Sequence, residues 1–139
     1  LGGNMEGDAP IKVYMTRKLI GVSPDDSVKR ACEVMVEFDI GSLVVVEENR
    51  VVGFFTKSDI IRRVVIPGLS NGTPVREIMS GELITVNANT PVRDVLDLMA
   101  KKGIKHMLIE EEGEIVGIFS LSDLLTASRR RLETAIAAE

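Results

Sequence analysis

Two short segments carry residue types at a spacing that could do chemistry: Gly53-Phe54-Phe55-Thr56-Lys57-Ser58-Asp59 and Gly117-Ile118-Phe119-Ser120-Leu121-Ser122-Asp123. Each runs glycine, two apolar residues, a hydroxyl, two spacers and an aspartate. Two roles fit that order. A hydroxyl followed three residues later by an acid at a helix start is a capping box, in which the acid reaches back to the amide of the cap residue. The same geometry also suits a nucleotide. The free amides and hydroxyl of a helix start can cradle a phosphate, and a nearby carboxylate accepts hydrogen bonds from both hydroxyls of a ribose. The glycine three residues before the hydroxyl marks a strand position where a ligand or another backbone comes close. Groupings for catalysis are missing. His106 is the sole histidine, which leaves it without a partner for a zinc site or a nucleophilic triad. With no phosphate-loop lysine motif either, the expectation is a protein that binds and is not an enzyme.

The elements that must position these segments come in duplicate. Residues 10–64 overlie residues 74–128 at a constant offset of 64 without a gap, with identities such as Pro10/Pro74, Met15/Met79, Ile20/Ile84, Met35/Met99, Ile40/Ile104, Gly53/Gly117 and Asp59/Asp123. A register kept this long is a tandem repeat. The expected division is a tail over 1–9, repeat 1 over 10–66, a turn-rich linker over 67–73 and repeat 2 over 74–131.

Each copy reads strand, helix, strand, strand, helix. Short apolar stretches, Leu19 to Val22 and Leu83 to Val86, lead into helix starts at Pro24-Asp25-Asp26-Ser27 and Asn89-Thr90-Pro91, where Thr90 suits the N-cap and Pro91 the first helical position. The stripes Val28, Ala31, Cys32, Met35, Val36 and Val92, Val95, Leu96, Met99, Ala100 predict two amphipathic helices whose buried faces include Cys32 and the methionines. Gly41 and Gly103 fall near their ends. Leu43 to Val46 with Val51 to Phe55, and Met107 to Ile109 with Ile115 to Phe119, predict hairpins over acidic turns. Thr56 and Ser120 then open second helices, the last running through Arg131 into the Ala-rich tail. The fold class is therefore mixed α+β. One copy leaves a sheet face uncovered, so the two sheets are expected to pack with pseudo-twofold symmetry and to form equivalent clefts at the seam.

Composition sets outer bounds. At 139 residues, 45% hydrophobic and 27% charged, the chain is that of one globular domain. Seventeen basic residues against 21 acidic ones give a net charge of −4, which repels a polyanion at long range. Arg62-Arg63 and Arg129-Arg130-Arg131 read as solvated helix faces without an aromatic stacking platform, so nucleic acid is not an expected partner. A single cysteine fits a reducing cytoplasm, no apolar run approaches a membrane span, and residues 1–10 carry no export signal.

Taken together, Met15-Thr16 or Met79-Ser80, Ile20-Gly21-Val22 or Ile84-Thr85-Val86, the helix starts and the final Gly-apolar-apolar-Thr/Ser-x-x-Asp resemble a CBS-domain pair, or Bateman module, over roughly Pro10 to Arg131. The resemblance implies a regulatory module for an adenine nucleotide, AMP first, with ADP or ATP as further candidates and S-adenosyl compounds as an alternative. It also implies signalling to a regulated partner protein. Asp59 and Asp123 match the family's ribose-binding aspartate, and Thr56 and Ser120 its phosphate-side hydroxyl. Phe54 and Ile118 match the apolar position beside them, while Ile20, Ile40, Ile84 and Ile104 match the adenine slot. Family topology places each aspartate opposite the slot of the other copy. Lys105 and His106 stand where the family often places phosphate-reaching cations, and Lys57 is a similar case, its counterpart being Leu121. A polar strand end is the alternative for these. Val44 and Leu108 depart from the family, which often has proline there. A homodimer is expected, closed twofold association being the commonest oligomer. The competing expectation is an interaction module whose motif survives only as helix caps.

Overall fold

The computed structural model describes the backbone of residues 5–125 and the side-chain surroundings of residues 7–125. The run of the last helix through Arg131, the basic Arg129 to Arg131 stretch and the end of repeat 2 lie outside the described residues. After a single turn, α1 (Met5–Asp8), the chain forms β1 (Gly21–Val22), α2 (Val28–Phe38), β2 (Ser42–Glu47), β3 (Arg50–Thr56) and α3 (Lys57–Ile60). Helix α3 widens over Ile61–Val65 into a turn closed by Ile66 N–H to the Ile61 carbonyl at 2.9 Å. The second copy follows as β4 (Thr85–Asn87), α4 (Val92–Lys102), β5 (His106–Glu111) and β6 (Glu114–Ser120), and residues 121–125 are again helical. Both sheets have the same topology: β1 parallel to β2 and β2 antiparallel to β3, then β4, β5 and β6 likewise. The mixed α+β reading holds for each copy. No helix among the described residues is long and apolar enough to cross a membrane.

The compact units cut across the sequence repeats. One comprises Leu19–Leu83; the other joins Ile84 onward to the first eighteen residues. Each repeat thus gives its opening segment to the unit built by the other. In the first unit, Ser80 and Phe54 exchange backbone bonds of 2.9 and 3.1 Å, and Val75 N–H donates to the Asp26 carbonyl at 2.8 Å. In the second, Thr16 and Ile118 exchange bonds of 2.8 and 3.0 Å, and Ile11 N–H donates to the Thr90 carbonyl at 2.8 Å. Ile11 and Val75, equivalent in the repeat, are both fully buried. Arg76 adds a clamp in the first unit. Its Nη2 and Nε lie 2.8 and 3.1 Å from Asp25 Oδ1, and that hydrogen bond holds the guanidinium above its usual pKa. Arg93 pairs with Asp8 in the second unit.

The glycines of the two signature segments are required by this docking. A Cβ on Gly53 would collide with Met79 Sδ, and one on Gly117 would meet Met15 Sδ at 2.6 Å and the Thr16 carbonyl oxygen at 3.0 Å. The close backbone approach expected from strand glycines is thus the docked Met-Thr and Met-Ser segments themselves.

Two local expectations are corrected. The buried helix faces centre on Ala31 and Val95, so Val34 is buried while Val36 is 81% exposed and Ala100 is also exposed. At about 100° per residue, position i+8 rotates out of an arc set by i, i+3, i+6 and i+7. Cys32 and Leu96, at the edge of that arc, are half-buried. Thr90 is not the cap of α4: Pro91 occupies the N-cap position with extended backbone and no side-chain cap bond, because bridging to Pro10 holds it there. Its counterpart Ser27 does cap α2, accepting from Arg30 N–H at 3.0 Å. The left-handed residues ending the two helices are Asp39 (φ 53°) and Gly103 (φ 65°), equivalent in the repeat, and Gly41 follows two residues after the first of them.

Candidate functional site

The signature segments begin in strands β3 and β6 and end in the first turn of the following helix, which fixes where the hydroxyl and acid point. Thr56 caps α3. Its Oγ1 accepts from Asp59 N–H at 3.4 Å, while Thr56 N–H donates to Asp59 Oδ2 at 2.9 Å and Thr56 Oγ1 lies 3.3 Å from the same oxygen. Ser120 repeats the acid's half of this with Asp123: N–H to Oδ2 at 2.8 Å and Oγ to Oδ2 at 3.1 Å, with Ser122 Oγ 2.8 Å from Ser120 Oγ. The reciprocal capping box is therefore complete at Thr56, and at Ser120 the aspartate reaches back to the cap residue. Each engages one carboxylate oxygen of its aspartate. Asp59 Oδ1 has Arg63 Nε 3.8 Å away, and no hydrogen bond reaches Asp123 Oδ1 among the described residues.

The remaining sequence-predicted residues are divided between the same two units. Phe54 lies two residues before Thr56, half-buried, opposite Val44 across the hairpin. Ile118 is opposite Leu108 in the same register. Ile20 and Ile40 flank β1 and β2, both half-buried against the core of the first unit. Ile84 and Ile104 take the same places against the core of the second. Val44, standing where the family often has proline, donates its N–H to the Ile20 carbonyl at 3.3 Å; proline has no N–H to make that bond.

His106 opens β5 directly opposite Ser120, just as Ser42 is opposite Thr56. In antiparallel register such residues stand roughly 5 Å apart at Cβ, which makes His106 the cross-strand neighbour of Ser120. Lys57 N–H donates to the Gly41 carbonyl at 3.1 Å, and a Cβ on Gly41 would touch Lys57 Cε at 3.8 Å. In the second unit Lys105 replaces Gly41 and Leu121 replaces Lys57. The lysine has moved from the helix to the strand side of the same corner, so each unit keeps one.

Two hydroxyls escaped the sequence reading of the site. Thr16 and Ser80 pair with Ile118 and Phe54 through the docked segments. Their Met-Thr and Met-Ser context was legible, but their neighbours lie far along the chain.

Two three-stranded units, each closing on a Gly-x-x-Thr/Ser-x-x-Asp turn and completed by the other repeat's opening segment, define a tandem repeat module. The CBS domain family profile matches residues 11–66 and 75–130, so this chain belongs to the CBS domain family and carries the domain twice. It is 35% identical over 114 residues to the CBS domain-containing protein YhcV of Bacillus subtilis, covering 82% of this chain and 81% of that one. A solved structure of a conserved protein from Pyrococcus horikoshii is 63% identical, with a TM-score of 0.87 over 90% of this chain and 96% of that one. The CBS domain pair of protein MJ0100, solved with 5′-methylthioadenosine and S-adenosyl-L-methionine, shares the fold at 23% identity and a TM-score of 0.75, over 85% of this chain and 98% of that one.

Proposed function

We propose that this chain is a regulatory module that binds the adenosine part of a nucleotide, AMP first and ADP or ATP next, and passes occupancy to a partner protein through a change in packing. The observation that carries this reading is the division of each signature carboxylate. Oδ2 anchors the helix start, which orients the group and leaves Oδ1 to accept from a ribose hydroxyl. Thr56 and Ser120 stand on the phosphate side, with Lys57, Lys105 and His106 as its cations and Thr16 and Ser80 as added hydroxyls. Ile20, Ile40, Ile84 and Ile104, with Phe54 and Ile118, offer half-buried apolar surface to adenine. The adenosine shared by the two ligands of MJ0100 supports the same choice of moiety. The module works by binding without turnover, as a homodimer in the cytoplasm.

The reach of both carboxylates back to their cap residues favours a second reading, an interaction module with no nucleotide. Calorimetric titration with AMP, ADP, ATP, S-adenosyl-L-methionine and NADH separates the two. Micromolar binding of AMP, on the order of −8 kcal/mol, with weak discrimination by phosphate number supports the sensor. A preference for S-adenosyl-L-methionine redirects the ligand class, and absence of binding or thermal shift with all five at millimolar concentration supports the second reading.

A further inference from the structure

Asp59 and Asp123 hold the same place in their motifs, yet their second oxygens have different neighbours. Asp59 Oδ1 lies 3.8 Å from Arg63 Nε, one helical turn on, and the Asp59 side chain is 23% exposed. Arg63 is held from its other end as well, Nη1 donating to the Ile78 carbonyl at 2.8 Å. Ile78 belongs to the segment that docks beside β3, so the guanidinium spans from that segment to the carboxylate. At the repeat offset of 64, Ala127 stands where Arg63 does. An alanine side chain can make neither contact.

We infer that Arg63 makes the two ribose-binding carboxylates unequal, competing with the ribose for Asp59 while Asp123 has no such competitor at the equivalent position. This rests on the nucleotide reading above. A diol that grips Asp59 must take an oxygen already facing a cation, whereas at Asp123 it meets an oxygen without a bonded partner among the described residues. Because Arg63 is about half exposed, with 47% of its side-chain surface accessible, the pair is screened by water. Its effect on ligand affinity is at most about fivefold. The sign distinguishes the roles open to this arginine. An arginine that attracts phosphate weakens binding when removed, and one that only anchors Ile78 leaves binding unchanged. Removing a competitor strengthens binding.

The test is calorimetric titration of the full chain with AMP, using Asp59→Asn and Asp123→Asn to assign two classes of site. The class lost in Asp123→Asn is expected to be the tighter one. Arg63→Met, which keeps bulk and removes charge, tightens the class lost in Asp59→Asn by about two- to fivefold and leaves the other class unchanged. Arg63→Lys restores the wild-type value. Urea unfolding accompanies each titration, and Arg63→Gln, which keeps a donor for Ile78, replaces Arg63→Met if that variant loses its fold. Two equal classes in the wild type, or an Asp59 class unchanged or weakened in Arg63→Met, overturns the inference while leaving nucleotide binding intact. Absence of AMP binding to every variant overturns the nucleotide reading and this inference with it.

Discussion

Replacing Gly117 by alanine strikes the joint between a repeat and the segment it receives. The new Cβ would sit 2.6 Å from Met15 Sδ, 3.0 Å from Met15 Cγ and 3.0 Å from the Thr16 carbonyl oxygen, where unstrained carbon contacts begin near 3.5 Å. Met15 can swing aside, since a methionine side chain adapts readily. Thr16 is less free, because it both donates to and accepts from Ile118. Overpacking of this kind costs about 1–3 kcal/mol, offset by about 0.5–1 kcal/mol of unfolded-chain entropy that alanine removes. The net expectation is a loss of about 1–2 kcal/mol, or a Tm lower by about 3–10 °C. The assay is urea unfolding of Gly117→Ala, Met15→Ala and the double variant. The double variant should be at least about 0.5 kcal/mol more stable than the sum of the singles, yet only partly relieved because the Thr16 carbonyl remains. Gly53→Ala makes a contrast: its three close atoms all belong to the Met79 side chain, so Met79→Ala should relieve it more fully. Additive effects at both joints would refute the docking of Met15 and Met79 on these glycines.

Asp39→Gly should stabilise the chain by up to about 1 kcal/mol in chemical denaturation, because Asp39 occupies the left-handed C-cap position that Gly103 fills in the other copy. Burial raises the Cys32 thiol above its ordinary pKa, so its alkylation profile should be displaced to higher pH than that of the urea-unfolded chain. The neutral thiol is favoured in the folded state, so the linked stability is fully present below the unfolded pKa and falls as pH rises from there through the folded value. Coincident alkylation profiles for folded and unfolded protein would contradict the burial effect.

The repeat made much of the fold legible. Its offset placed every strand of both hairpins and both long helices, since period-two and period-3.6 patterns are local properties of the chain. The exchange of opening segments was not legible, because Pro10 and Pro74 look alike and nothing local says which unit Ile11 or Val75 completes. The helix faces were misjudged by one stripe: Val34 and Val36 are both apolar, and only packing against the sheet decides between them. The Thr90 cap failed for a related reason, a long-range bridge to Pro10 overriding local capping preference. At the site, the Thr/Ser-x-x-Asp spacing suggested a cap and a ribose ligand as alternatives. The two-oxygen carboxylate allows both, with one oxygen already engaged by the cap.

The most direct measurement is AMP binding to the Asp59→Glu/Asp123→Glu double variant, with unfolding followed in parallel. Glutamate is a favoured acid in a capping box, so stability should stay within about 0.5 kcal/mol of wild type. The extra methylene shifts the carboxylate by more than about an ångström and breaks an alignment-dependent grip on the ribose hydroxyls. Micromolar AMP binding in the wild type and a loss of about 1.5–3 kcal/mol in the folded double variant is the result expected of ribose-binding aspartates. Unchanged affinity in the folded double variant, or no AMP binding by the wild type, would contradict it.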